Sequence, residues 1–353
     1  MVVACLLGGC DHGTPDLGRA HGPDLKVVAT YPLAGQGLEC THDSLDDCGV
    51  PAGTNLELRF NRFLDPATAT RQSVNVYTGT EDLWVFLRPR YDLLERVVVY
   101  ELALPAEMQQ AVRYNVRLPI PTEDDGGFRA FDGAPLTEQG SADLDFSFRF
   151  QTGPVAAADD VETTPECATA GQLVIAAEEV FTRGGCASAV CHQPTASVGC
   201  GPGYARASAG EPCVGIPRMG LDLSSIRGIL ATAIGQVAHQ TETGASSGVT
   251  LENPDRFGVQ MPIIDPGRPG NSYLLYKLLL HPAVFSDDSC TSAYDVRPAG
   301  PCPTPPSGEL LRLGEWFVLG GAMPADTGSG LRLQDLRTLQ AWIQAGAPTT
   351  GCP

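Results

Sequence analysis

Positive charge is scarce in this chain. Its 23 Lys and Arg face 41 Asp and Glu, a formal net charge of −18. Nucleic-acid binding is driven by basic side chains that displace counterions from phosphates, so no nucleic-acid partner is expected. An acidic surface serves solubility, or docking to a basic partner protein. Long hydrophobic runs are lacking too, since no segment approaches the roughly 20 apolar residues that span a bilayer. Also missing are a phosphate-binding glycine loop, a His-Glu-x-x-His zinc motif and a nucleophile–base pairing. The glycines from Gly199 to Gly203 have no helix start after them. Nothing in the sequence therefore marks an enzyme, and no repeat is visible.

Glycine, proline and cysteine, by contrast, are plentiful, at 40, 29 and 12 among 353 residues. The length suggests two domains, and the glycines and prolines imply many turns and long connections. Twelve cysteines are many for a reducing compartment. Cys40 with Cys48, Cys200 with Cys213, and Cys290 with Cys302 each bound a loop rich in Gly, Pro, Asp or Ser, and Cys167 and Cys352 bracket the second half. Such pairs suit disulfides that staple loops in an oxidising compartment, although sequence alone does not fix connectivity.

Residues 25–153 read as all-β. Leu56, Leu58 and Phe60, then Val74 and Val76, Val97 and Val99, Val112, Tyr114 and Val116, and Phe146, Phe148 and Phe150 alternate with other residues. Alternation with period two marks strands with one buried face, and the count suits a sandwich of about seven strands. Residues 154–166, small, acidic and bounded by prolines, read as a linker. From Cys167 the period becomes helical. Leu173, Ala177, Val180 and Phe181 share a face, as do Ile226, Leu230, Ala233 and Val237. Tyr273, Leu274, Lys277 and Leu278 follow a helix start capped by Asn271 or Ser272, and Leu336, Leu339, Trp342 and Ile343 form a last helix stopped by Gly346 and Pro348.

Three resemblances sharpen this reading. Residues 1–9 are apolar and lead into Cys10, and Leu7-Gly8-Gly9-Cys10 resembles a lipobox. That resemblance implies an exported protein lipidated on Cys10, with residues 1–24 as signal remnant and tether, although the segment has no basic residue and is short for a signal peptide. Tyr31-Pro32, Phe60-Asn61, Leu64-Asp65-Pro66 and the strand ending Phe150-Gln151-Thr152-Gly153 resemble bacterial Ig-like domains. Residues 167–353 resemble the cytochrome c-like domains of large exported bacterial proteins. The matching pieces are Cys186-Ala187-Ser188-Ala189-Val190-Cys191-His192, Gly220-Leu221-Asp222-Leu223-Ser224, Asp265-Pro266-Gly267-Arg268-Pro269, Gly320-Gly321-Ala322-Met323-Pro324 and Ala341-Trp342-Ile343-Gln344-Ala345-Gly346.

The resemblance implies one haem c, with thioethers at Cys186 and Cys191, His192 on the iron and Met323 as distal ligand. Met261, also followed by proline, is the rival. The cysteines stand four residues apart rather than the usual two, a spacing found in some multihaem cytochromes. The expected fold class is thus a two-domain protein, an all-β Ig-like sandwich followed by a mostly α cytochrome c-like domain with long disulfide-stapled loops. The expected function is electron transfer with a redox partner protein, at the periplasm or cell surface, through a lipid-anchored carrier and not a catalyst. The alternative is a haem-free structural or binding lipoprotein.

Overall fold

The computed structural model describes residues 22–40, 49–51, 54–78, 81–82, 87–102, 112–121, 126–137, 146–153, 167–187, 192–194, 196–197, 204–205, 213–215, 220–238, 241, 260–281, 284, 292, 294–296, 304–306, 308–318, 323 and 331–350. The β-branched and aromatic runs of the first half form eight strands. They are β1 (Val27–Tyr31), β2 (Leu56–Phe60), β3 (Asn75–Thr78), β4 (Glu81–Asp82), β5 (Leu87–Asp92), β6 (Val97–Leu102), β7 (Arg113–Leu118) and β8 (Phe146–Gln151). They pair into two four-stranded antiparallel sheets, ordered β1-β2-β6-β5 and β4-β3-β7-β8. The apolar sides of both sheets feed one core, in which Phe60 meets Phe128 at 4.8 Å between ring centroids and Tyr114 stacks on Phe150 at 5.5 Å.

The first sheet departs from simple alternation. All five residues of β2 are buried, Glu57 and Arg59 included. Successive side chains of a strand point to opposite faces, so both faces of this sheet are covered. Val98 and Tyr100 of β6 enter the large core, while Val97 and Val99 pack with Tyr294 and Val296 on the other side. The covering segment is held by main-chain bonds: Arg59 Nε donates to the Val296 carbonyl at 3.0 Å, and the Val296 N–H donates to Glu57 at 2.8 Å.

The second half supplies helices α1 (Cys167–Arg183), α2 (Ile226–Thr232), α3 (Tyr273–Leu279), α4 (Glu309–Trp316) and α5 (Leu333–Gln344). It also supplies short strands β9 (Ala196–Ser197), β10 (Tyr204–Ala205) and β11 (Cys213–Gly215), which form a three-stranded antiparallel sheet. Helix α1 buries Ala177, Val180 and Phe181 against α5, where Phe181 meets Trp342 edge to face at 6.4 Å. Ser272 precedes α3, but its hydroxyl is used elsewhere, accepting from the Asp265 N–H at 2.9 Å and donating to the Arg268 carbonyl at 3.2 Å. Every residue of α3 is buried, and Tyr276 and Tyr273 both pack edge to face on Phe317 just beyond α4.

These observations correct the expected fold class. The chain is not an Ig-like sandwich followed by a separate, mostly α cytochrome c-like domain. One hydrophobic cluster runs from Leu25 to Ala347, antiparallel sheets occur in both halves, and a segment of the second half closes a face of the first sheet. The physical reason lies in buried ion pairs that alternation cannot reveal. Arg62 follows β2, is fully buried, and bonds Asp132 at 2.6 Å and Glu309 of α4 at 3.1 Å. Arg59 bonds Glu95 at 3.0 Å, and Glu95 also accepts from Arg337 of α5 at 2.8 Å. Asp92 accepts from Tyr294 at 2.6 Å and from Gln340 of α5 at 2.7 Å. Burial raises the carboxyls of Asp92 and Glu309 above their ordinary range, and Arg62 opposes that rise at Glu309.

The expected linker at 154–166 lies outside the described residues, as do Cys10, Cys48, Cys200, Cys290, Cys302 and Cys352. Cys40 is disulfide-bonded. Cys167 opens α1 and Cys213 opens β11.

Candidate functional site

The loop after α1 carries the cysteine–histidine motif. Helix α1 ends at Arg183, and Gly185 adopts a left-handed φ of 71° that turns the chain back under the helix. The turn is closed by the Gly184 N–H donating to the Val180 carbonyl at 2.9 Å and the Ala187 N–H donating to the Phe181 carbonyl at 3.2 Å. Cys186 is thereby drawn inside, at 6% exposure, within the hydrophobic core. Its sulfur lies 3.9 Å from the Gly184 carbonyl. Cys191 lies outside the described residues.

His192 returns to the same place. Its N–H donates to the Cys186 carbonyl at 3.2 Å, and its own carbonyl accepts from the Leu223 N–H at 2.8 Å. Its side chain is buried at 8% exposure. Cys186 and His192 therefore belong to one closed loop whose far side is pinned to the segment leading into α2. There Ser225 caps α2 by accepting from the Gly228 N–H, and Glu178 of α1 accepts from the Ile226 N–H at 2.9 Å.

The two methionines stand apart from that loop in sequence and are fixed differently. The Met323 N–H donates to the Lys277 carbonyl in α3 at 3.3 Å, and its half-buried side chain packs against the core. Met261 is more deeply buried, at 4% exposure, and its carbonyl accepts from the Ala238 N–H at 2.9 Å. Lys277 is itself buried, which lowers its ammonium below the usual lysine range.

Of the residues that the haem expectation named, Cys186 and His192 are buried and meet through the main chain, while Met323 and Met261 are held on other segments. Among the described residues no group of three or more His, Cys, Asp or Glu is placed to hold a metal ion. Sequence reasoning missed the buried Arg59 and Arg62 pairs and the helix α4. It also missed a groove between β5 and the turn before α3. The signal available was an arginine at each of positions 59 and 62 around a strand otherwise rich in apolar residues.

No protein family matches the chain, and no curated protein matches it. Among solved structures, the N-terminal part of the bacterial S-layer protein SbsC is similar at 13% identity and a TM-score of 0.23, over 38% of this chain and 25% of that one. Domains 1–6 of the surface layer protein SbsC give 12% identity and a TM-score of 0.24, over 39% of this chain and 15% of that one. The chain thus spans a quarter or less of those proteins, and a likeness this weak carries no argument about fold or function.

Proposed function

We propose that this chain is an exported electron-transfer protein that carries one haem c on Cys186, Cys191 and His192, with Met323 as the distal ligand and lipid on Cys10. The observation that carries the reading is the closed loop in which Cys186 and His192 are both buried and joined through the His192 N–H. A haem bound there would supply one-electron chemistry tuned by its axial ligands. The protein's part is positioning. His192 is held through its N–H at Cys186 and through its carbonyl at Leu223, so its imidazole has a main-chain frame fixed at both ends. Phe181 near the end of α1 is buried against Trp342 of α5, which anchors the helix that precedes Cys186. Met323 offers a soft, neutral sulfur of the kind that raises a haem potential. The disulfide at Cys40 supports an oxidising, exported location. No helix among the described residues is long and apolar enough to cross a membrane, and attachment through lipid needs none.

The test is periplasmic expression alongside a cytochrome c maturation system. A c-type pyridine haemochrome is expected from the wild type and not from Cys191→Ser. Met323→Ala should abolish the sulfur-to-iron charge-transfer band while Met261→Ala keeps it. A folded, colourless wild type overturns the reading and leaves the haem-free binding lipoprotein in its place.

A further inference from the structure

A groove of 830 Å³ opens where β5 meets the turn at 267–271 and the short 3₁₀ turns Pro66–Thr68 and Arg71–Ser73. Among the described residues four arginines line it, Arg71, Arg88, Arg90 and Arg268, and no Asp or Glu does. On a chain of net charge −18 that concentration of one sign is not an accident of composition. Cationic side chains along one groove favour an anionic ligand.

The arginines come from both halves of the chain. Arg88 and Arg90 lie two residues apart on β5 and so share one face. Arg90 is braced from the side, its Nε donating to Glu101 at 3.1 Å and its Nη1 to Gln344 at 3.1 Å. Arg268 forms an ion pair, its Nε 3.0 Å from Asp265 Oδ2, while its side chain stays 73% exposed. Arg88 is exposed as well. Anchoring through Nε orients a guanidinium, and at Arg268 it leaves the outer nitrogens for a second, bidentate partner, whereas Nη1 of Arg90 is taken by Gln344 and by the Tyr294 hydroxyl at 3.3 Å. Tyr91 and Pro269 supply apolar wall between the cations.

We propose that this groove binds a compact, multiply charged oxyanion, a small molecule carrying two or more phosphate or carboxylate groups. Its volume falls in the range of roughly 300–1,000 Å³ typical of small-molecule sites. The proposal does not depend on haem.

The test is isothermal titration of the full chain at low ionic strength with pyrophosphate and, separately, with citrate. A saturable one-to-one isotherm with at least one of them is expected, the tighter anion telling a phosphate ligand from a carboxylate one. Arg88→Ala/Arg268→Ala should weaken it at least about tenfold, the effect of losing one charge-assisted contact. Arg113→Ala/Arg227→Ala, the same charge change at exposed sites outside the groove, should leave it within about twofold. Absence of binding by folded protein for both anions overturns the proposal. So does equal weakening by the two double variants, which marks non-specific charge attraction.

Discussion

The interior of the strand half and its junction with the helical half are held by different forces. Inside, Phe60, Phe128, Tyr114, Phe148 and Phe150 pack ring against ring, and hydrophobic burial of this kind has no preferred direction. At the junction, Arg59 and Arg62 are nearly or wholly buried and reach Glu95, Asp132 and Glu309 through oriented bonds of 2.6–3.1 Å. Burying those charges costs free energy that only good geometry offsets. The interior thus needs volume and tolerates exchange of one apolar residue for another. The junction needs particular partners and tolerates little, which makes it the part that fixes where the helices sit on the sheets.

The sharpest way to break this contrast is to remove one charge from the junction. Arg62→Ala strands Asp132 and Glu309 in the interior and is expected to cost about 3–5 kcal/mol in urea unfolding. Leu58→Met, equally buried in the strand half, should cost less than about 1.5 kcal/mol. Equal losses would mean that the two regions do not differ in kind.

A close backbone approach gives a smaller effect. A β-carbon on Gly270 would stand 2.6 Å from Cδ1 of Tyr91 and 2.8 Å from its carbonyl oxygen, where the turn before α3 meets β5. Gly270→Ala should therefore cost about 1–3 kcal/mol by forcing these segments apart. It should also weaken any anion held in the groove they form.

A separate effect is one of pH. Burial pushes the Asp65 carboxyl up to about 7, against the Ala67 N–H and Arg129, which pull it down. A raised carboxyl is held more tightly by protons in the folded state than in the unfolded chain. Its stabilising contribution is complete below the unfolded value of about 3.9. That contribution fades as pH rises to about 7. Asp65→Asn keeps an oxygen to accept from Ala67 and cannot ionise. Its stability relative to wild type should climb between pH 4 and pH 7 on the order of those two pKa values and then level off. A flat difference across that window would place the carboxyl in water.

Much of the local structure was legible. Alternating Val, Tyr and Phe mark β2, β6, β7 and β8, and the apolar stripes at Ala177, Val180, Phe181 and at Leu336, Leu339, Trp342 and Ile343 mark α1 and α5. Of the Cys186–His192 motif, the two described members meet through the His192 N–H and the Cys186 carbonyl. The fold class did not read. Arginines in and beside a strand look like solvent-facing positions, and Tyr294 and Val296 sit in a stretch of turns with no periodicity to announce a covering segment. Ser272 has the right residue type and place for a helix cap, yet tertiary contacts take its hydroxyl for Asp265 and Arg268.

By itself the sequence determined the charge balance, the strands and helices with a strong apolar period, and the loop that gathers a cysteine and a histidine, because each depends on neighbours in the chain. Only the tertiary structure decided that the halves share one core, which carboxylates receive Arg59 and Arg62, and that Arg88 and Arg90 meet Arg268 across a groove. Those outcomes depend on groups as far apart as Arg62 and Glu309, and paired charges declare themselves only when both partners have been taken out of water.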